Sequence, residues 1–232
     1  MKKPAILILS AILLSNISAY RAYAESVYYT GDYTINYSIS ENDTITITKC
    51  TGNGESLYIP DTIDGLPITE IDSSAFVSCT NLKTIGKGAF SGCSSLVEVT
   101  LPDGVENIEE ETFYNCNVLK NVTAEGLKNI GDRAFKNCML LESPGNLEAM
   151  ESLGNEAFFN CRRLTSMVLP ETLTSMGDSC FQNCVALGSM EINGNLPRIS
   201  RYCFYGCRLL SKITFNSPSI RVIGVRAFAN CS

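Results

Sequence analysis

The sequence predicts a solenoid of about eight right-handed coils, each of ~23 residues, with one parallel sheet along its length and a small β-hairpin cap in front. Three observations point there. First, eight segments place a Phe three residues before a Cys: "AFVSC", "AFSGC", "TFYNC", "AFKNC", "AFFNC", "CFQNC", "CFYGC" and "AFANC". The rings are Phe76, Phe90, Phe113, Phe135, Phe158, Phe181, Phe204 and Phe228, at gaps of 14, 23, 22, 23, 23, 23 and 24. Second, an aliphatic residue or Met stands five positions before every Phe: Ile71, Ile85, Ile108, Ile130, Leu153, Met176, Ile199 and Ile223. Another stands eight before it in most units: Val105, Leu127, Met150, Leu173, Leu196 and Ile220. Third, apolar residues alternate further back, as in Val99 and Leu101, Val122 and Ala124, Met167 and Leu169, Met190 and Ile192, Ile213 and Phe215. Alternation of period two is a strand with one buried face. A unit this short cannot bury its own apolar side, whereas stacked units can. At a strand spacing of about 4.8 Å, seven steps between eight coils span roughly 34 Å.

The N-terminus reads "MKKPAILILSAILLSNISAYRAYAES". Lys2 and Lys3 precede a short apolar run, Ala5 to Leu14, and Ala22-Tyr23-Ala24 offers a small-x-small cleavage pattern. Residues 1–24 are therefore expected to be a secretory signal peptide, with Ala19 as the alternative cleavage point. The run is short for a membrane span, and no later segment is apolar enough to be one. Residues 25–55 form the cap. Tyr33 to Ile39 and Thr44 to Thr48 alternate around the turn sequence "SENDT", which predicts a hairpin. Capping covers the open end of a solenoid.

Residues 56–232 form the solenoid. A Gly follows the aliphatic residue in several units (Gly86, Gly131, Gly154, Gly177, Gly224) and suggests a tight bend there. The gap of 14 between Phe76 and Phe90 predicts irregular first coils. In the fifth unit, "LESPGNLEAMESLG", Pro144 and Asn146 fall where inward strand residues belong. Pro cannot donate to a ladder, so a broken or bulged strand is expected. The chain ends at "AFANCS" without a polar cap, which suggests either that a short terminus suffices or that the chain is a fragment.

The eleven cysteines occupy mostly one column. Cys180 and Cys203 take the place of the small Ala that precedes Phe in most other units. A metal site needs ligands converging on a point, and a column spreads them along an axis. Disulfides are the stronger alternative, since neighbours one coil apart come within range, but equivalent side chains point the same way. The reading is a buried, reduced ladder of small hydrophobes, which in an exported chain suggests a reducing or anaerobic habitat.

No His is present, which removes imidazole-dependent catalysis and His-ligated metals. The net charge of −6, with no basic run after the first three residues, argues against nucleic acid. The acidic run Glu109 to Glu111 lies in one coil and reads as solvated surface. A glycosidase needs two carboxylates across a cleft. No enzyme and no cofactor are expected.

The segments "LTSMVLPETLTSMGDSCFQNC" and "LVEVTLPDGVENIEEETFYNC" follow a Leu-x-x-Ile-x-Leu-Pro-x-x-Leu-x-x-Ile-Gly-x-x-Ala-Phe-x-x-Cys scheme. This resembles the BspA-like leucine-rich repeat family of bacterial surface proteins, over about residues 56–232, and "SLYIPDTIDGLPITEIDSSAF" is similar to how such arrays begin. The resemblance implies a leucine-rich-repeat solenoid, mostly β and irregular within the α/β-type repeat class. It also implies an exported, non-enzymatic module at the bacterial surface that binds proteins or other surface partners.

The residues between the inward ones on each strand form a two-column face: Glu98 and Thr100, Asn121 and Thr123, Ser166 and Val168, Ser189 and Glu191, Lys212 and Thr214. Sheet faces are the usual binding surface of solenoids, so these ten are the candidate partner-binding residues, against the alternative of ordinary solvated sheet. The expected function is adhesion or recognition of an extracellular protein or cell-surface ligand. The alternatives are a carbohydrate or cell-wall binding module, for which the cap tyrosines Tyr28, Tyr29, Tyr33, Tyr37 and Tyr58 are the first place to look, and a structural spacer.

Overall fold

The computed structural model describes residues 26–232 apart from 53, 55, 58, 60, 61, 73, 74, 77, 78, 80, 81, 94, 95, 218 and 232. The expected signal peptide, residues 1–24, and Tyr58 lie outside the described residues. The chain opens with β1 (Ser26–Thr30), β2 (Tyr33–Ile39), β3 (Ile45–Gly52), β4 (Ser56–Leu57), β5 (Thr62–Ile63) and β6 (Leu66–Ile71). The predicted hairpin is β2 and β3, paired antiparallel from Tyr33↔Gly52 to Ile39↔Ile45. Its turn is held by Ser40, whose hydroxyl accepts from the amides of Asn42 and Thr44, and Asp43 takes the left-handed conformation. Tyr33, Ile35, Tyr37, Ile45 and Ile47 alternate into the cap core.

Repeating coils follow: β7 (Thr84–Ile85), β8 (Glu98–Thr100), β9 (Asn107–Ile108), β10 (Asn121–Thr123), β11 (Asn129–Ile130), β12 (Ser152–Leu153), β13 (Ser166–Leu169), β14 (Ser175–Met176), β15 (Ser189–Ile192), β16 (Arg198–Ile199), β17 (Lys212–Phe215) and β18 (Val222–Ile223). All pair in parallel, one coil to the next.

The expected parallel-sheet solenoid is present, with slightly fewer turns than eight and with its strands divided among several sheets rather than one. Regular coils carry two strands, in different sheets. The longer alternating strands build the short sheets β8–β10 and β13–β15–β17. The aliphatic residue five before Phe lies on a second strand of two residues, and these build the longest ladder, β4–β7–β9–β11–β12–β14, of six strands. β16 and β18 pair separately. The short spacing from Phe76 to Phe90 does give an irregular start. Ile85 pairs with Leu57, while Ile71 pairs with Ile47 of the cap. The cap continues the coil lattice: the Cys50 amide donates to the Ala75 carbonyl as the Phe113 amide does to Ala134. Cys50 thus stands where a coil places its Phe.

The core is a set of columns. Adjacent Phe rings sit 4.9 to 5.6 Å apart between centroids, and from Phe113 onward each pair lies within 9° of parallel. Beside them, from Cys116 onward, the thiol three residues after each Phe donates to the backbone carbonyl of the Phe one coil back: Cys116 to Phe90, Cys138 to Phe113, Cys161 to Phe135, Cys184 to Phe158, Cys207 to Phe181 and Cys231 to Phe204, at 3.0 to 3.2 Å. The Cys is a donor as well as a small hydrophobe.

The glycines after the aliphatic column are needed for a different reason from the predicted bend. None of Gly131, Gly154, Gly177 and Gly224 has a positive φ. A Cβ on each would meet the backbone of the preceding coil at 2.4 to 2.7 Å, so they are sites of close approach. The left-handed conformation falls elsewhere, two residues to either side of Phe. Glu111, Arg133, Glu156, Ser179, Tyr202 and Arg226 adopt it before the ring. Asn115, Asn137, Asn160, Asn183 and Asn230 adopt it after. Asn tolerates that region better than other side chains, which accounts for the recurring Phe-x-Asn-Cys. Three of these amides also chain along the axis, Asn137 donating to Asn115 at 2.8 Å and Asn160 to Asn137 at 3.0 Å.

Phe158 is fully buried between Phe135 and Phe181. Phe158→Ala is expected to cost about 3–5 kcal/mol, read as a lower urea midpoint. A parent-like midpoint would mean that the column does not carry the core.

Candidate functional site

The ten predicted face residues sit on the longer strands. The register aligns Asn121 with Glu98 and Thr123 with Thr100. It aligns Ser166, Ser189 and Lys212 in one row, and Val168, Glu191 and Thr214 in the other. Inward neighbours Val99, Val122, Met167 and Met190 are buried, so these side chains point outward. The structure does not join them in one patch. Glu98, Thr100, Asn121 and Thr123 form one group, and the other six form a second.

The division falls at the fifth unit, where Pro144 and Asn146 predict a break. Residues 143–146 make only an isolated bridge, Asn121↔Ser143, among the described residues. Pro144 is buried in the inward column as predicted, but Asn146 is not: its side chain bonds Glu125 and accepts from the Glu148 amide in a local turn. Beside this break lies a cleft of about 560 Å³, lined by residues 142–148 and by Leu164, Ser166, Met167, Val168, Pro170, Glu171 and Asn193. Its lining mixes apolar side chains, Leu147, Leu164, Met167 and Val168 among them, with three carboxylates, Glu142, Glu148 and Glu171. Val168 is 59% exposed within it. Sequence patterning located the break but missed the carboxylates and Pro170, which alternation places only as loop.

The remaining sequence candidates have structural roles. Glu110, in the acidic run, pairs with Lys87 at 2.7 Å and with Arg133, and these cations hold its carboxyl below the ordinary range. Arg133 also meets Glu111 at 2.9 Å. Among the described cap tyrosines, Tyr33 and Tyr37 are core, Tyr28 is half-buried and Tyr29 is exposed. All eleven cysteines are free thiols, and all but Cys231 are buried. Burial pushes most of them up, Cys207 to about 12. The Cys79 thiol donates to the Cys50 carbonyl at 3.3 Å, and the Cys50 thiol beside it is likewise pushed up. A thiol that resists ionisation is a poor nucleophile, so the column is packing rather than chemistry.

Parallel two-stranded coils stacked on an Phe spine, with no helix among the described residues, define a leucine-rich repeat solenoid. Residues 69–144 and 128–232 match the family described as the BspA type leucine rich repeat region, in six copies. The chain belongs to that family. Among solved structures it is similar to the T. pallidum leucine rich repeat protein TpLRR, at 29% identity over 85% of this chain and 86% of that one, with a TM-score of 0.61. It is also similar to a leucine rich cell surface protein from Faecalibacterium prausnitzii A2-165, at 27% identity and a TM-score of 0.47, over 84% of this chain and 56% of that one. No curated protein matches. No helix among the described residues is long and apolar enough to cross a membrane.

The thiol column sets a pH limit on stability. Folded thiols hold their protons to higher pH than unfolded ones, so their contribution is complete below the ordinary thiol pKa of about 8.5. It is lost as pH rises from there through the folded values, about 12 for Cys207. Urea midpoints are expected to fall between pH 7 and pH 10, and to fall less in a Cys161→Ser/Cys184→Ser variant.

Proposed function

We propose that this chain is an exported recognition module that binds an extracellular protein or cell-surface ligand through the outward face of its longer strands, and that it is not an enzyme. The observation that carries the reading is the row-by-row register of β13, β15 and β17, which brings Ser166, Val168, Ser189, Glu191, Lys212 and Thr214 from three coils onto one surface beside the cleft. Extended sheet faces are how solenoids bind, and family membership is consistent with a surface role. Glu98, Thr100, Asn121 and Thr123 extend the same face on the far side of the break.

A specific feature favours carbohydrate as the second reading. A pocket of about 500 Å³ on another part of the coils is lined by Asn160, Asn183 and Asn230, by Arg162 and Arg208, and by Tyr205. Amides, guanidinium groups and an aromatic ring are the side chains that hold polar or anionic sugars. This replaces the cap tyrosines as the place where a glycan would bind.

The discriminating experiment measures retention of the chain on a panel of extracellular proteins, polysaccharides and whole bacteria. A parallel sample carries Glu98→Lys, Glu191→Lys and Lys212→Glu. Protein or cell binding that weakens by about tenfold or more in the variant is the expected result. Retention on polysaccharide alone, lost in Arg162→Ala/Arg208→Ala, moves the function to the second pocket. Retention on nothing makes the chain a spacer.

A further inference from the structure

The break in the fifth unit leaves β13 with an unused edge, and the cause can be followed bond by bond. Between regular coils, the inward residue of one strand donates its amide to the outward residue of the next coil. The Leu101 amide bonds the Thr123 carbonyl at 2.8 Å, and the Val122 amide bonds the Ser143 carbonyl at 2.9 Å. One coil on, the donor equivalent to Val122 is Pro144 and the acceptor is Ser166. Pro144 has no amide hydrogen to give. The next inward donor is Asn146, whose acceptor would be Val168, but its amide turns back to the Ala124 carbonyl at 2.8 Å. Segment 143–146 therefore stays with the preceding coil, and the strand pairing of β13 is to β15 on its other side. Ser166 and Val168 line the cleft of about 560 Å³ on the side where the preceding coil offers β13 no strand.

We propose that this edge is a docking slot for an extended segment of a partner protein, a segment flanked by Lys or Arg, which adds its backbone to β13 within the cleft. The inference rests on the reading of this face as a recognition surface and names the form of its ligand. An open strand edge supplies main-chain bonds to any extended chain, and adjoining pockets give selectivity. The choice of a basic protein segment comes from charge. Glu142, Glu148 and Glu171 line the cleft, and no Lys or Arg does. An arriving cation finds no competitor, whereas an acidic segment or acidic glycan meets three like charges. The cleft's mix of apolar and polar lining residues suits a strand whose side chains alternate in direction.

The test uses a fluorescent pool of octapeptides with Lys at both ends and Val, Ile, Thr or Tyr randomised between, titrated into the full chain. Control pools carry Glu at both ends, or the Lys ends with alternate backbone nitrogens methylated. The expected result is saturable binding of the Lys pool and about tenfold weaker binding of both controls. The double substitution Pro144→Val/Asn146→Leu restores the inward pattern of the neighbouring coils. It is expected to remain folded, to protect the Val168 region in hydrogen exchange, and to weaken the Lys pool by tenfold or more. Val168→Pro attacks the edge directly, and the double variant keeps the test informative if that chain does not fold. Failure of the Lys pool to bind overturns the proposal, as does equal binding by parent and double variant. Self-association that the double variant abolishes, without peptide binding, also overturns it and makes a second copy the occupant. If cell-surface binding sensitive to Glu98, Glu191 and Lys212 survives while every peptide fails, the slot is wrong and the wider recognition reading stands. If the chain binds nothing in either experiment, both fall.

Discussion

Each coil must place a flat ring and a thiol at the spacing its backbone ladder dictates, and the rest of the solenoid is arranged around that demand. Parallel ladders repeat at about 4.8 Å. The Phe rings stack at 4.9 to 5.6 Å between centroids, slightly wider than the backbone repeat. Cys fits beside them because its side chain is short enough not to push coils apart and still carries a hydrogen for the preceding Phe carbonyl. Each Phe carbonyl already accepts from the amide of the Cys three residues on, as Phe135 does from Cys138 at 3.1 Å, and the thiol of the next coil gives its second lone pair a donor that a purely apolar residue of similar size would not. The same geometry explains why neighbouring thiols remain free: each is directed at a carbonyl, not at the next sulfur.

The columns were legible in the sequence because one-dimensional stacking repeats the same environment every coil. Phe, Cys and the aliphatic five before Phe could be read as buried, and they are up to the last coil, where Ile223 is 64% exposed and Phe228 and Cys231 are half-buried. The cap hairpin was legible from alternation across "SENDT". The second ladder was not, since two residues such as Asn129–Ile130 are too short to show a period. Nor was the role of the glycines, because a close approach and a left-handed turn ask for the same residue. Only coordinates separate them: Gly154 would meet Asp132 at 2.5 Å with an ordinary φ. The first coil escaped because Cys50 takes a Phe position without resembling one.

Of the candidate site, the sequence supplied the outward residues and the place of the break, but not how the two relate. Ten residues at equivalent positions suggest one patch until the ladder is known to stop at Pro144. Carboxylates such as Glu148 and Glu171 belong to turns, where no periodicity assigns a direction. In a repeat protein, the position that departs from the repeat carries information that the regular coils do not, since regularity is what stability alone would select.

A break in one sheet would be a liability if the coils depended on it. Here they do not, because the fifth unit remains tied on its other face. β12 pairs with both β11 and β14, so Ser152 and Leu153 bridge the fourth and sixth units while residues 143–146 do not. Phe158 stacks between its neighbours at 5.3 Å on both sides, within the 4.9 to 5.6 Å range of the other rings. The cleft is thus held open on a continuous backbone and a continuous core. Its shape follows from the missing donor at Pro144, so a ligand entering it has no neighbouring strand to displace. That preorganisation lowers the entropic cost of binding, which is the condition under which a few main-chain bonds to an extended segment are enough to retain it.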